Sequence, residues 1–181
     1  SVKHFIANNQ ETSRNSNNAI ISERALREIY LKSFEIIVKK AQPWTIMSSY
    51  NKVNGENVSE SKRLLTNILR DEWKFPGWVV TDCGAIYDIK PNHNYTLSDE
   101  ESVAFAIKGG VDLNCGSLYN LIPSAIKKGF LSESDLDKSL KRLFMTRLKL
   151  GILKKVDDNP YDNLNENFIN SDKHIEIARK I

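Results

Sequence analysis

Apolar and polar segments alternate along the chain in a way that predicts an α/β protein. Short apolar runs, typical of buried strands, alternate with longer segments in which apolar residues recur every three or four positions, as on one face of a helix. The predicted strands are 3–7, 44–50, 78–80 and 111–115. The predicted helices are 23–40, one that begins at Ser59 or Ser61, 98–108, 121–128, 132–150, and one that begins at Ser171 or Asp172. This alternation predicts a parallel sheet with helical crossovers.

One predicted strand ends directly on a carboxylate. The apolar run from Trp78 to Val80 is followed by Asp82, and Gly84 allows the chain to turn sharply after it. In parallel α/β folds, chemistry is located at the carboxyl ends of strands, which makes Asp82 a candidate catalytic residue. The structural alternative is that Asp82 caps a helix or closes a turn.

Other polar segments follow predicted strands. Lys3 and His4 place a cation and an imidazole together, a combination that suits binding of hydroxyl groups or a developing anion. The loop 8–18 is polar and typical of solvated surface. The longer polar loop 87–97 follows Asp82, and such loops often form lids or pocket walls.

Composition narrows the class of protein. A chain of 181 residues can bury a sizeable core, and its net charge of +3 gives no reason to expect a nucleic-acid partner. No apolar run approaches the roughly 20 residues that span a bilayer, so no membrane association is predicted. Two cysteines and three scattered histidines lack metal-ligand spacing, and we expect neither a metal nor a cofactor. The first residues lack the apolar core of a signal peptide and read as a strand end, so we expect the chain to begin within a domain.

Six segments, in order, carry a family resemblance. They are 3–11, 22–30, 47–55, 69–73, 81–85 and 110–116. Together they resemble glycoside hydrolase family 3, and in particular its β-xylosidase and β-glucosidase members. The resemblance covers nearly the whole chain. It favours a catalytic role for Asp82 over a structural role as a helix cap or turn residue.

The resemblance implies an α/β fold that is part of a TIM (β/α)8-like barrel. Residues 1–153 resemble its carboxyl-terminal half, roughly the last four strands and their helices. Residues 154–181 resemble a linker toward a second, α/β sandwich domain. The expected partners of the chain are therefore the missing barrel half and that second domain. Because a half barrel exposes unpaired sheet edges, we expect the 181 residues alone to be poorly stable or to associate.

The resemblance also implies a mechanism. Asp82 corresponds to the nucleophile of an exo-acting, retaining β-glycosidase that acts on β-linked oligosaccharides or aryl glycosides. The acid/base glutamate is expected in the later domain, so Glu11, Glu72 and Glu101 are not assigned that role. An isolated chain of this kind is expected to be inactive.

Further site residues follow from the same resemblance. Lys3 and His4 match residues that bind sugar hydroxyls, and Arg14 matches a sugar-site arginine of bacterial relatives. Tyr50 matches a tyrosine beside the nucleophile. Met47 matches an apolar wall of the subsite, although a methionine on a strand is often simply core.

Cys83 replaces a tryptophan that many family members have, and cysteine here resembles the β-xylosidase-like members. We therefore expect β-xylosides to be preferred over β-glucosides. Cys83 and Cys115 follow strands that should be neighbours, and we hypothesise that they pair near the pocket. The alternative is two buried free thiols. A Cα separation above about 7 Å would exclude the bond.

Two alternative functions are considered. A β-N-acetylglucosaminidase of the same family would carry a Gly-rich loop with an Asp-His pair, whereas 6–11 reads Ile-Ala-Asn-Asn-Gln-Glu. The other alternative is a non-catalytic carbohydrate-binding remnant of such an enzyme. The cellular location is open, with the periplasm or the cell exterior favoured for the whole enzyme.

Overall fold

The computed structural model describes residues 1–153, 159 and 161–181, and these form two compact units, Ser1–Thr146 and Arg147–Ile181. The strands are β1 Val2–Phe5, β2 Asn18–Ala19, β3 Thr45–Ser48, β4 Lys52–Val53, β5 Glu56–Asn57 and β6 Trp78–Thr81. The α-helices are α1 Glu23–Ala25, α2 Lys32–Ala41, α3 Ala85–Asp88, α4 Asp99–Gly109, α5 Ile122–Lys127, α6 Glu133–Lys149 and α7 Asp172–Lys180. Leu26–Tyr30 and Lys62–Glu72 are π-helical, and Val58–Glu60, Leu118–Leu121 and Glu166–Phe168 are short 3₁₀ helices.

A parallel sheet with strand order β1-β3-β6 forms the centre of the first unit. Ile46 pairs with Val79 and Ser48 with Thr81, in continuous register. The predicted fourth strand, 111–115, is present only as a single parallel bridge between Val80 and Leu113. Helices connect these strands, so the predicted α/β architecture with a parallel sheet is confirmed.

The core lies on one face of this sheet. Ile46 and Val79 are completely buried and belong to the same apolar cluster as Leu64, Leu65 and Leu69 of the 62–72 helix. Their strand neighbours Met47 and Val80 are only partly buried, because successive residues of a strand face opposite sides of the sheet. The helices therefore cover one face of the sheet and leave the other partly exposed.

The segment between β1 and α1 is more ordered than the predicted loop 8–18. β2 pairs in parallel with β4, and β4 pairs antiparallel with β5. The Asn54 side chain accepts from Ile21 N and donates to Ile21 O, both at 2.7 Å. β2, β4 and β5 therefore form a second small sheet, which the sequence pattern did not predict.

The predicted helix 23–40 begins where expected but contains a π-helical turn. Ser22 caps it, its hydroxyl accepting from Ala25 N at 3.2 Å. Leu31 N donates to Leu26 O five residues earlier, at 2.8 Å. Because this turn holds an extra residue, it rotates the apolar face, and Ile29, predicted to lie on that face, is 67% exposed. Leu26 stays fully buried.

Buried ion pairs hold β6 to the next segment. The Asp112 carboxylate, fully buried, accepts from Arg70 at 2.6 Å and from Arg142 at 2.6 and 2.8 Å. The same carboxylate accepts from Val79 N at 2.9 Å. Burial lowers the pKa of Arg70, and the adjacent Asp112 charge opposes that effect. The network fixes the amino end of β6 and thereby the strand that carries Asp82.

The second unit contains the 3₁₀ helix Glu166–Phe168 and α7. The predicted linker 154–170 lies partly outside the described residues, since 154–158 and 160 are not among them. Its assignment, like the predicted division into 1–153 and 154–181, stays a prediction. No helix in the described parts of the chain combines the length and apolar character that a membrane crossing requires.

Candidate active site

Three neighbouring parallel strands bring two side chains, an imidazole and a phenol, to one carboxylate. His4 lies on β1, Tyr50 follows β3 by two residues, and Asp82 comes directly after β6. His4 Nε2 is 3.3 Å from Asp82 Oδ2, and Tyr50 Oη donates to Asp82 Oδ1 at 3.0 Å. The three residues therefore meet at the carboxyl ends of the strands, the location predicted for Asp82.

The backbone also orients the Asp82 carboxylate. Cys83 N donates to Asp82 Oδ1 at 2.8 Å, so this oxygen has two donors. Asp82 N donates to Ser48 O at 2.9 Å, which extends the pairing of β6 with β3 to the site. The side chain is 15% exposed, so the carboxylate is held in place but still reaches the surface of the described chain.

Tyr50 is a protonated donor at neutral pH. Burial raises its pKa, and the hydrogen bond to Asp82 and the charge of Asp82 raise it further. Its hydroxyl also lies 2.8 Å from the carbonyl of Cys83. The guanidinium of Arg14 lies 4.9 Å from the centre of the Tyr50 ring, in cation–π range, and donates to Glu11 at 2.8 Å.

A buried polar layer fixes the strand ends that carry these groups. His93 Nε2 lies 2.9 Å from the carbonyl of Tyr50, and burial lowers the pKa of His93, which favours the neutral ring. Ser49 Oγ and Asn51 Nδ2 donate to Ile6 O at 3.1 and 3.2 Å. These bonds join the ends of β1 and β3, so His4 and Tyr50 are held at a fixed separation.

Cys83 and Cys115 form a disulfide with a Cα separation of 4.4 Å, which confirms the hypothesised pairing. Gly84 N donates to Cys115 O at 2.8 Å. Cys115 N donates to Thr81 Oγ1 at 3.0 Å. The bridge therefore lies one residue from Asp82 and joins the ends of two neighbouring segments of the sheet.

The remaining predicted site residues lie around this centre. Lys3 is exposed and shares with His4, Asn8 and Asn9 the lining of a cavity of about 620 Å³. The peptide bond between Lys3 and His4 is cis. Met47 is partly buried and pairs in register with Val80, two residues before Asp82. The roles predicted for Lys3, Arg14 and Met47 stay predictions, as do those predicted for Asp82, His4, Tyr50 and Cys83.

Sequence reasoning missed the supporting residues. Ser49 and Asn51 belong to a polar run that follows an apolar strand, a signal that could have identified them. His93 gave no such signal, since a single histidine in a polar loop has no pattern that predicts burial. The described residues contain no group of three His, Cys, Asp or Glu side chains placed to hold a metal ion.

Comparison with known proteins identifies the family. Residues 1–146 match the glycosyl hydrolase family 3 N-terminal domain. The chain belongs to this family. It is 36% identical to the probable exo-1,4-β-xylosidase of Aspergillus clavatus, over 98% of this chain and 24% of that protein. It is 37% identical to the thermostable β-glucosidase B of Acetivibrio thermocellus, over 99% of this chain and 21% of that protein.

The structure agrees with this assignment. It superimposes on a family 3 exo-β-xylosidase, solved in complex with a xylobiose aziridine activity-based probe, with a TM-score of 0.85 and 29% identity. The superposition covers 90% of this chain and 22% of that one. The predicted family and the partial TIM-like barrel are thus confirmed. The chain spans less than a quarter of the length of each of these relatives.

Proposed function

We propose that this chain supplies the nucleophile and part of the sugar-binding subsite of an exo-acting, retaining β-glycosidase. The observation that carries the proposal is the Asp82 carboxylate, which lies between Tyr50 and His4 at the carboxyl ends of three parallel strands. Membership of glycosyl hydrolase family 3 supports the same reaction class.

Asp82 attacks the anomeric carbon of the bound sugar. The bond from that carbon to the leaving oxygen breaks as the Asp82 ester forms, and the leaving group takes up a proton from an acid. Water then attacks the anomeric carbon and gives a proton to the acid deprotonated in the first step, so that the sugar leaves with retained configuration and the Asp82 carboxylate is restored. Tyr50 and Cys83 N both bind Oδ1, so Oδ2, which faces His4, is the oxygen that we assign to the attack.

The acid/base is proposed to come from residues outside this chain. In retaining enzymes the second carboxyl lies about 5 Å from the nucleophile. Glu72 binds Arg27 at 2.7 Å and Glu101 accepts from Leu97 N at 2.8 Å, so both are engaged elsewhere. Glu11 pairs with Arg14. By this proposal, the chain alone binds sugar without turning it over.

Lys3, His4 and Arg14 are proposed to bind the hydroxyls of the sugar in the cleavage subsite. His4 is the best supported, because its ring nitrogen already faces Asp82. Met47 is proposed as an apolar wall of the same subsite, on the partly exposed face of the sheet.

We propose β-xylosides as preferred substrates over β-glucosides. Support comes from Cys83, which is exposed beside Asp82 and bonded to Cys115, and which resembles the residue of β-xylosidase-like members. The relatives include proteins named for either sugar at almost equal identity, so the comparisons do not separate the two.

Hydrolysis by the full-length gene product that contains this chain tests the proposal. We expect Asp82→Asn to abolish hydrolysis of aryl β-xylosides and β-glucosides, while Asp71→Asn, a change at an exposed aspartate, preserves it. The wild-type kcat/KM for the two substrates then gives the sugar preference. Proton NMR should show the β-anomer as first product; an α-anomer would contradict retention. Sugar binding without hydrolysis by the wild-type protein would favour the non-catalytic alternative.

A further inference from the structure

The connection between β6 and the segment that follows α4 contains little regular strand pairing, and side-chain bonds such as Val79 N to Asp112 Oδ2 at 2.9 Å and Cys115 N to Thr81 Oγ1 at 3.0 Å add to it. Pairing consists of the single Val80–Leu113 bridge and flanking backbone bonds, including Thr81 N to Leu113 O at 3.0 Å. Beyond it, Gly84 N donates to Cys115 O at 2.8 Å, and the Cys83–Cys115 disulfide is the covalent link. The disulfide thus lies where regular strand pairing ends.

The backbone of Cys83 is part of the site itself. Its N–H donates to Asp82 Oδ1 at 2.8 Å, and its carbonyl accepts from Tyr50 Oη at 2.8 Å. The single hydroxyl proton of Tyr50 is shared between this carbonyl and the same Asp82 oxygen, which lies 3.0 Å from Tyr50 Oη. Any displacement of the Cys83 peptide therefore changes both donors of Oδ1.

We propose that the Cys83–Cys115 disulfide positions the Asp82 carboxylate, so that reduction of the disulfide slows the covalent step of the reaction. This inference rests on the proposed function, in which Asp82 is the nucleophile. Cys83 and Cys115 are positioning residues in it and take no part in bond making.

Reduction should act locally. A small dithiol supplies two electrons and two protons, the S–S bond becomes two thiols, and the dithiol becomes a cyclic disulfide. Cys83 is exposed, so the reagent reaches it. On either side, Thr81 and Ala85 are completely buried and stay anchored in the core. Only the turn between them, with Gly84 at a φ of 85°, gains freedom.

The test measures how fast Asp82 is esterified in the two redox states. The full-length gene product is treated with a 2-fluoro β-xyloside that carries a dinitrophenolate leaving group. Because this group leaves as a stable anion, its departure needs no proton from an acid. Mass spectrometry measures the rate of labelling of the oxidised and of the dithiol-reduced protein. A thiol-trapping reagent verifies that Cys83 and Cys115 are free thiols after reduction. Circular dichroism verifies that the reduced protein is folded.

We expect reduction to lower the limiting labelling rate about tenfold, because a carboxylate that is no longer held in one orientation is less often in the geometry required for attack. The concentration for half-maximal rate should change less than twofold, and reoxidation should restore the rate. Cys83→Ser/Cys115→Ser should match the reduced protein and should not respond to dithiol. A purely structural bridge would lower the melting temperature without changing the labelling rate of folded protein.

Equal labelling rates for the oxidised and the fully reduced, folded protein would overturn the inference and leave the proposed function intact. If Cys83→Ser/Cys115→Ser does not fold, the reduction and reoxidation of the wild type decide the question. Labelling of the oxidised protein at a residue other than Asp82 would overturn both proposals.

Discussion

The Tyr50 hydroxyl donates to the Asp82 carboxylate across 3.0 Å and joins the ends of two neighbouring strands. The carbonyl oxygen of Tyr50 lies 2.9 Å from Nε2 of the buried His93 ring. The guanidinium of Arg14 lies over the aromatic ring of Tyr50. Tyr50 therefore connects the candidate nucleophile to the buried layer beneath it and to the cation beside it.

Tyr50→Phe should lower kcat while the protein stays folded. The substitution removes a donor that orients the attacking carboxylate, and misplacement of a reacting group can cost on the order of 100-fold in rate, so we expect a loss of roughly 10- to 100-fold. Steady-state hydrolysis of an aryl β-glycoside by the full-length gene product measures it. Tyr95→Phe is the matched control, because Tyr95 is half-exposed and its ring packs on Phe105. Equal kcat for wild type and Tyr50→Phe would show that the bond does not assist the reaction.

Asp112→Asn should destabilise the protein strongly. It would leave the buried guanidinium of Arg70 without its carboxylate, and breaking a buried ion pair typically costs about 3–5 kcal/mol. The midpoint of urea denaturation measures the loss. Glu35→Gln serves as a control, since it removes ion pairs to two exposed lysines and should cost less than about 1 kcal/mol. A similar midpoint for both variants would contradict the structural role of Asp112.

Glu60 should make stability fall as pH rises. The residue is 9% exposed; among the described residues no side chain donates to its carboxylate oxygens, and the backbone of Asn57 only partly offsets the effect of burying the charge. Burial raises its pKa from 4.5 to about 8, so the native protein holds this carboxyl neutral at pH 7. Because the folded pKa lies above the unfolded one, the contribution is complete below pH 4.5 and is lost as pH rises to about 8. Each pKa unit corresponds to about 1.4 kcal/mol.

Glu60→Gln should therefore flatten this dependence. The amide stays neutral at every pH, so the melting temperature should fall less between pH 5 and pH 8 than in the wild type. Glu28→Gln, a change at an exposed helix carboxylate, should leave the wild-type slope unaltered. An unchanged slope in Glu60→Gln would show that Glu60 titrates normally in the folded chain.

The sequence predicted the elements that apolar periodicity defines. Ile46 and Val79 are buried on their strands, Ser22 caps the helix predicted to begin at residue 23, and Ser61, one of the two predicted starting residues, caps the 62–72 helix. The π-helical turn was not predictable, because apolar spacing does not reveal a shift in backbone hydrogen bonding. Leu113 forms a bridge rather than a strand, since strand extent depends on pairing partners and not on local composition.

The site was predictable only in part. Asp82 was identified by its place at the end of a buried strand and His4 by its position beside Lys3, and the family resemblance added Tyr50 and the Cys83–Cys115 pair. The burial of Glu60 and His93 was not foreseen, because each is a single polar residue whose environment is set by segments distant in the sequence. Long-range packing therefore determines whether such a polar residue is buried, and the local sequence pattern does not reveal it.

Covalent trapping of the nucleophile tests the central claim most directly. The full-length gene product is incubated with a 2-fluoro β-xyloside or a 2-fluoro β-glucoside, digested and sequenced by mass spectrometry. The account predicts one label on Asp82, formed faster with the xyloside. A label on another carboxylate, or steady hydrolysis of an aryl glycoside with no label formed, would contradict it.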